Sequence, residues 1–249
     1  MTDRLRELER IREEVVKDPE NVPRETRKSF WRLVRQIKRE PFPNDDEIDV
    51  AAAVRNILFE VDRGGTYRTG PALAIMTLVG FGIALGYLWL LGSPLDWGNV
   101  LGWTIADLGQ FALRFLCVFG GIAFFYPLGR FIAGKVLGIR IEGMARDEYY
   151  EPTLKIDYVS FLKAPVPKRK WFFFFAGIWT IITSLAFGVM GFVVGGDFTA
   201  FIPMVLLLIF EGYAVLNGTP KRSFGEMGTY NREKKIERAW RKRLAETGR

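Results

Sequence analysis

Charged and apolar positions divide the chain into blocks. Residues 1–70 hold 15 Lys/Arg and 15 Asp/Glu, whereas residues 71–129 hold one basic residue, Arg114, and two acidic ones, Asp96 and Asp107. Within the first block the apolar residues recur at helical spacing: Leu5, Leu8, Ile11 and Val15 form one stripe, and Phe30, Leu33, Val34 and Ile37 a second. A third runs through Ile48, Ala52 and Ile57. Asn21 and Pro23 mark a helix start, Asn44 another, and Gly64-Gly65 a stop. These signals predict a helical module over residues 1–64, folded as a hairpin or small bundle.

Four later runs are apolar for most of their length: 71–92, 105–129, 171–196 and 198–218. Each is long enough to cross about 30 Å of hydrocarbon at about 1.5 Å per residue. An apolar content of 49% alone would also suit a large soluble domain; its concentration into runs selects a membrane protein. Lys and Arg then set the orientation, since they collect in cytoplasmic segments. The connections 93–104 and 197–199 contain neither, while 130–170 holds nine and 219–249 holds ten. Both termini are therefore expected in the cytoplasm, and the charged opening "MTDRLRELERIREE" has no apolar core of the kind a signal peptide needs. The predicted fold is mainly α: a polytopic membrane protein with four spans, a short membrane-associated β-hairpin and a cytoplasmic N-terminal module. Its blocks are the module (1–64), a membrane domain (65–218) and a basic tail (219–249).

Composition removes several chemistries. The chain has no His and one Cys, Cys117, which excludes a disulfide framework, a thiol metal site and a His-dependent nucleophile. The acidic residues inside the predicted spans, Asp107 and Glu211, stand near opposite ends of their helices, which does not suit an aspartyl dyad. Asp197, in "GGD", falls in an outer turn. Ionisable groups in lipid are costly and normally face partners or water. Asp107, Gln110 and Arg114 share one face at i, i+3 and i+7; Arg114 reaches Asp107 poorly, and Glu211 of the fourth span is a candidate partner.

The stretch "YPLGRFIAGKVLGIRIEGM" (126–144) follows the second span. An intramembrane zinc protease would carry H-E-x-G-H there, two His one helical turn apart on one face with a Glu as general base. Together with the small-residue helix and "LGI" that follow, the stretch resembles the site-2 protease family. In that resemblance Tyr126 stands for the first His, Pro127 for the Glu and Arg130 for the second His, while Gly129 keeps the family's glycine. The alternating stretch 139–158 is similar to the family's membrane-associated hairpin. "NGTPKRSFG" (217–225) is similar to its N-x-x-P…D-G element, with Asn217, Pro220 and Gly225 kept and Phe224 near the place of the Asp ligand. The resemblance covers roughly residues 105–230 and implies an inactive member, without zinc or any other cofactor.

The tail carries net charge +6 and can form a helix with Ile236, Trp240 and Leu244 on one side, suited to an anionic inner leaflet. Its sparse aromatics do not suggest nucleic acid as a partner. Two functions remain. One is a catalytically inactive site-2-protease-like protein that holds a transmembrane partner or client, with Leu154, Ile156 and Tyr158 on the hairpin edge as the binding residues. The other is a structural or transporter-like subunit that works through Asp107, Arg114 and Glu211.

Overall fold

The computed structural model describes residues 2–146, 152–216 and 225–246. The chain is mainly helical, with a small three-stranded sheet, and divides into two compact units. The unit boundaries fall inside long helices, so α5 (Ile105–Leu137), α7 (Val166–Gly195) and α9 (Gly225–Glu246) contribute residues to both.

The first unit takes in Met1–Thr69, Ala133–Phe172 and Thr229–Arg249. It is larger than the 1–64 module, because the hairpin and most of the tail helix belong to it. Three helices open it, α1 (Asp3–Lys17), α2 (Arg24–Ile37) and α3 (Asp45–Arg63). Thr2 caps α1 by accepting from the Leu5 N–H, Asn44 caps α3 through Asp46, and Gly64, at φ 74°, ends α3. Both stripes of α1 and α2 are buried in full. Buried with them is Glu47 of α3, which accepts from the Thr2 hydroxyl at 2.7 Å and from Arg4 Nε at 2.7 Å.

The sheet orders β1 (Tyr67–Arg68), β2 (Ile141–Arg146) and β3 (Pro152–Ile156) as an antiparallel β1-β2-β3. The expected hairpin is present, joined by a strand from just after α3. That third strand sets a requirement at Gly143, where a Cβ would lie 2.8 Å from the Tyr67 carbonyl oxygen. Both faces of β3 are covered. Leu154, Lys155 and Ile156 are all buried, with Lys155 paired to Glu60 at 3.3 Å and to Glu142 at 3.2 Å, and Arg55 donating to the Ile156 carbonyl. Tyr158 does not extend the strand; Asp157 caps the Val159 N–H and Tyr158 opens α6 (Tyr158–Lys163), its ring beneath Arg55. The side chains of Leu154, Ile156 and Tyr158 are therefore buried rather than presented as the expected apolar face to a partner, while β3 keeps its place as the outer strand of the sheet.

The unit's α9 segment is fixed by a buried ion triad. Glu233 lies 2.6 Å from Lys38 Nζ and 3.3 Å from Arg169 Nε, while Arg169 also donates to the Lys38 and Leu162 carbonyls. The Phe161 ring lies beneath both cations, at 4.8 Å from Lys38 and 5.8 Å from Arg169. Nearby, Lys170 and Arg241 pair with Glu237 at 2.6 and 2.7 Å.

The second unit takes in Gly70–Ile132 and Phe173–Gly228. Three helices that enter it are long and apolar enough to cross a membrane: α4 (Thr69–Leu90), α5 and α7. Length and exposure agree, because in α4 only Gly80 and Tyr87 are buried although the helix is almost wholly apolar. The remaining apolar helix, α8 (Phe201–Leu216), has 16 residues, or roughly 24 Å at 1.5 Å each, and the end of the expected 198–218 span lies outside the described residues. The second span is longer than its apolar core predicts. It continues through Arg130 to Leu137 and stops where Gly138 turns at φ 74° and the Ile139 N–H reaches back to the Gly134 carbonyl at 2.9 Å.

Burial alone would raise the Glu233 carboxyl, but Lys38 and Arg169 outweigh it and hold it below the ordinary glutamate value. A depressed acid contributes stability that is complete above about pH 4.3 and is lost as the pH falls through the folded-state value. The melting temperature of the first unit should therefore hold between pH 7 and 5 and fall below about pH 4. Glu233→Gln leaves two buried cations without their carboxylate and should cost about 3–5 kcal/mol at pH 7, with a shallower acid response, by thermal unfolding in detergent.

Candidate functional site

The positions that resemble a zinc motif lie on α5 around Pro127, which removes one backbone donor inside the helix. One turn apart, Tyr126 and Arg130 lie on the same face, with the guanidinium 5.8 Å from the ring centre. Both reach Glu226: the Tyr126 hydroxyl donates to its carboxylate, and Arg130 Nε lies 3.6 Å from the same oxygen. Glu226 stands in the first turn of α9, where a carboxylate complements the positive end of the helix. Gly225 sets that turn at φ 72°, and Glu211 of α8 accepts from the Met227 N–H beside it. The second Glu211 oxygen is buried and has no hydrogen bond among the described residues.

Gly129 carries a packing requirement of its own. A Cβ there would fall 2.1 Å from Cγ of Trp179, whose indole lies against the glycine and donates to the Phe125 carbonyl at 3.0 Å. The arrangement therefore closes the motif from two sides, with the ion-paired Tyr126, Arg130 and Glu226 on one and Trp179 on the other. Among the described residues no group of three or more His, Cys, Asp or Glu could hold a metal ion. Asn217, Pro220 and Phe224 lie outside the described residues. Glu226, which the sequence reading missed, follows Phe224 by two positions; a Gly-Glu pair opening a polar helix was its only local signal.

The intramembrane charges are arranged differently from the expectation. Arg114 pairs with neither Asp107 nor Glu211 but with Asp197, at 2.8 Å, and both side chains are fully enclosed. Asp197 also accepts from the Tyr87 hydroxyl at 2.9 Å, Trp97 Nε1 at 3.2 Å and the Thr199 hydroxyl at 2.9 Å. Arg114 Nη2 donates to the Leu90 carbonyl at 2.9 Å, the Ser93 carbonyl and Gln110 at 3.4 Å, while its buried Nε has no hydrogen bond among the described residues. Asp107 is not a buried charge. It caps the start of α5 by accepting from the Thr104 N–H at 2.8 Å and the Thr104 hydroxyl at 2.7 Å. The three residues Asp107, Arg114 and Glu211 thus serve three separate purposes.

Around the same end of the unit, the Trp97 ring lies edge-on to Trp103, Phe111 and Phe198 at 5.3, 6.2 and 5.8 Å. Aromatic groupings of this kind suit a membrane–water boundary. No protein family, curated protein or solved structure matches the chain.

Helix propensity alone says that Gly129→Ala should stabilise α5 by up to about 1 kcal/mol. The Trp179 contact reverses the sign, and an overpacked substitution of this kind should instead destabilise by about 1–3 kcal/mol. The double variant Gly129→Ala/Trp179→Ala should be less sensitive to the alanine than the wild type is. Melting temperatures of the four proteins in one detergent check this.

Proposed function

We propose that the chain is a catalytically inactive membrane protein of site-2-protease-like build that holds a transmembrane segment of a partner or client. The observation that carries the reading is the closure of the motif: Tyr126 and Arg130, in the places of the two His, are both spent on Glu226 of the same chain. Trp179 occupies the space beside Gly129 where a substrate strand or a water would have to approach. Neither arrangement supplies a general base to an incoming peptide.

The membrane topology belongs to the same proposal. α8 adds a fourth crossing to α4, α5 and α7, both termini lie on the cytoplasmic side, and the basic tail rests against the anionic inner leaflet. Since Leu154, Ile156 and Tyr158 are turned inward, the partner-binding role passes to the membrane helices. α8 supports this: Ile209, Phe210, Tyr213 and Leu216 are exposed along it, an apolar surface suited to lipid or to another apolar helix. The alternative of a charged-face subunit loses its basis, because Asp107, Arg114 and Glu211 do not form one face.

Photo-cross-linking in native membranes tests this reading. A cross-linking residue at Ile209 or Tyr213 should give a discrete protein adduct, and one at Leu154 should give none. In parallel, protein purified without chelator should hold well under one zinc per chain. Stoichiometric zinc together with chelator-sensitive cleavage of a membrane substrate would overturn the proposal.

A further inference from the structure

An open pocket of about 420 Å³ lies in the first unit, walled by the last turn of α5 with Gly138, by Arg140, by α6 and by the first turn of α7. Three cations line it: Arg140, Lys163 and Lys168. Leu137 and Pro165 add apolar wall, and Ser160 shapes the floor by accepting from the Arg140 N–H and donating to the Asp157 carbonyl, both at 2.9 Å. Gly138, at φ 74°, has no atom within 4 Å of where a Cβ would sit, so the pocket is open on that side.

The cations are only weakly committed to other partners. Arg140 pairs with Asp157 at 2.7 Å but leaves 74% of its side chain exposed, and Lys163 pairs with Asp45 at 2.8 Å with both side chains largely in solvent. Asp157 itself is largely buried, so Arg140 is held from one side with its remaining donors in solvent, whereas an exposed pair such as Lys163–Asp45 is readily exchanged for a stronger charge-assisted bond. Asp157 is in any case also spent on capping Val159. Lys168 is exposed, its backbone N–H donates to the Pro165 carbonyl at 2.9 Å, and its side chain has no hydrogen bond or ion pair among the described residues. The negative end of α5 and the positive end of α7 meet here and oppose each other, so the side chains decide the sign of the field.

We propose that this pocket binds a phosphate-bearing anion. Two sources share that chemistry, the headgroup of an anionic phospholipid and free phosphate. The headgroup is favoured by position, because α5 and α7 each continue from the pocket into an apolar stretch long enough to cross a membrane, and Trp171 and Val136 are exposed in the adjoining turns. The lipid arm rests on the membrane reading above, whereas the phosphate arm does not.

The test uses the full chain purified in a neutral detergent. Short-chain phosphatidylglycerol, phosphatidylcholine and inorganic phosphate are titrated separately, with bound ligand and melting temperature as readouts. Lys168→Glu probes the pocket, and Lys17→Glu, an exposed reversal on α1, controls for overall charge. Saturable binding of phosphatidylglycerol but not phosphatidylcholine, weakened at least tenfold by Lys168→Glu and less than twofold by Lys17→Glu, identifies a headgroup site. The same pattern with inorganic phosphate identifies a free-phosphate site. Equal weakening by both reversals, or no saturable binding of either anion, overturns the proposal. A chain that stays in solution without detergent yet binds phosphate would sink the membrane reading and leave the pocket assignment standing.

Discussion

The pairing of Arg114 with Asp197 is the constraint on which the second unit depends. A guanidinium and a carboxylate withdrawn from water cost several kcal/mol each, and their attraction offsets that only when every remaining donor and lone pair is satisfied. Here the carboxylate has four donors and both terminal nitrogens of the guanidinium are bonded, the second to two backbone carbonyls; only the buried Arg114 Nε has no hydrogen bond among the described residues. Those partners come from the end of α4, the connection after it, the middle of α5 and the turn that follows α7, so satisfying the pair fixes all of these segments at once. Tyr87, which donates to Asp197, is also part of the buried cluster with Val118, Ile122, Phe187 and Ala200. Polar and apolar order are therefore set at the same place. Twelve residues further along α5, roughly 18 Å, stand the motif positions whose placement depends on this anchoring.

The same logic recurs at three further carboxylates. Glu47 receives Thr2 and Arg4, Glu233 receives Lys38 and Arg169, and Glu226 receives Tyr126 and Arg130. Each carboxylate lies far in sequence from at least one of its donors, so each closes a long loop and ties distant segments of the chain together. A hydrolytic site has the opposite character, with a base or a metal ligand held open toward the substrate. The chain's enclosed carboxylates look inward, toward cations and donors of the same chain.

What could be read from the sequence was local. The stripes Leu5–Val15 and Phe30–Ile37, the Asn44 cap and the Gly64 stop each depend on residues within a turn or two, and all appear in the fold. The hairpin and the long apolar helices were readable for the same reason, as period-2 alternation and uninterrupted apolar length. The failures concern partners distant in the chain. Asp197 sits in a three-residue "GGD" that reads as a turn, and nothing near it announces an arginine 83 positions earlier. Alternation along 154–158 tells which side chains share a face but not what covers that face; the side chains of Leu154, Ile156 and Tyr158 are buried, although β3 remains the outer strand of the sheet. Glu226 was hidden because the motif comparison stopped at Gly225, one residue short of the group that closes the site.

A double-mutant cycle on Arg114 and Asp197 tests the central claim most directly, with unfolding free energies of the wild type, Arg114→Gln, Asp197→Asn and the double variant measured in one detergent. The account predicts that each single change costs about 3–5 kcal/mol and that the double change costs far less than their sum, a coupling above about 2 kcal/mol, because each partner left alone is an uncompensated buried charge. Additive losses, or a coupling near zero, would show that the two residues do not hold the unit together and would contradict it.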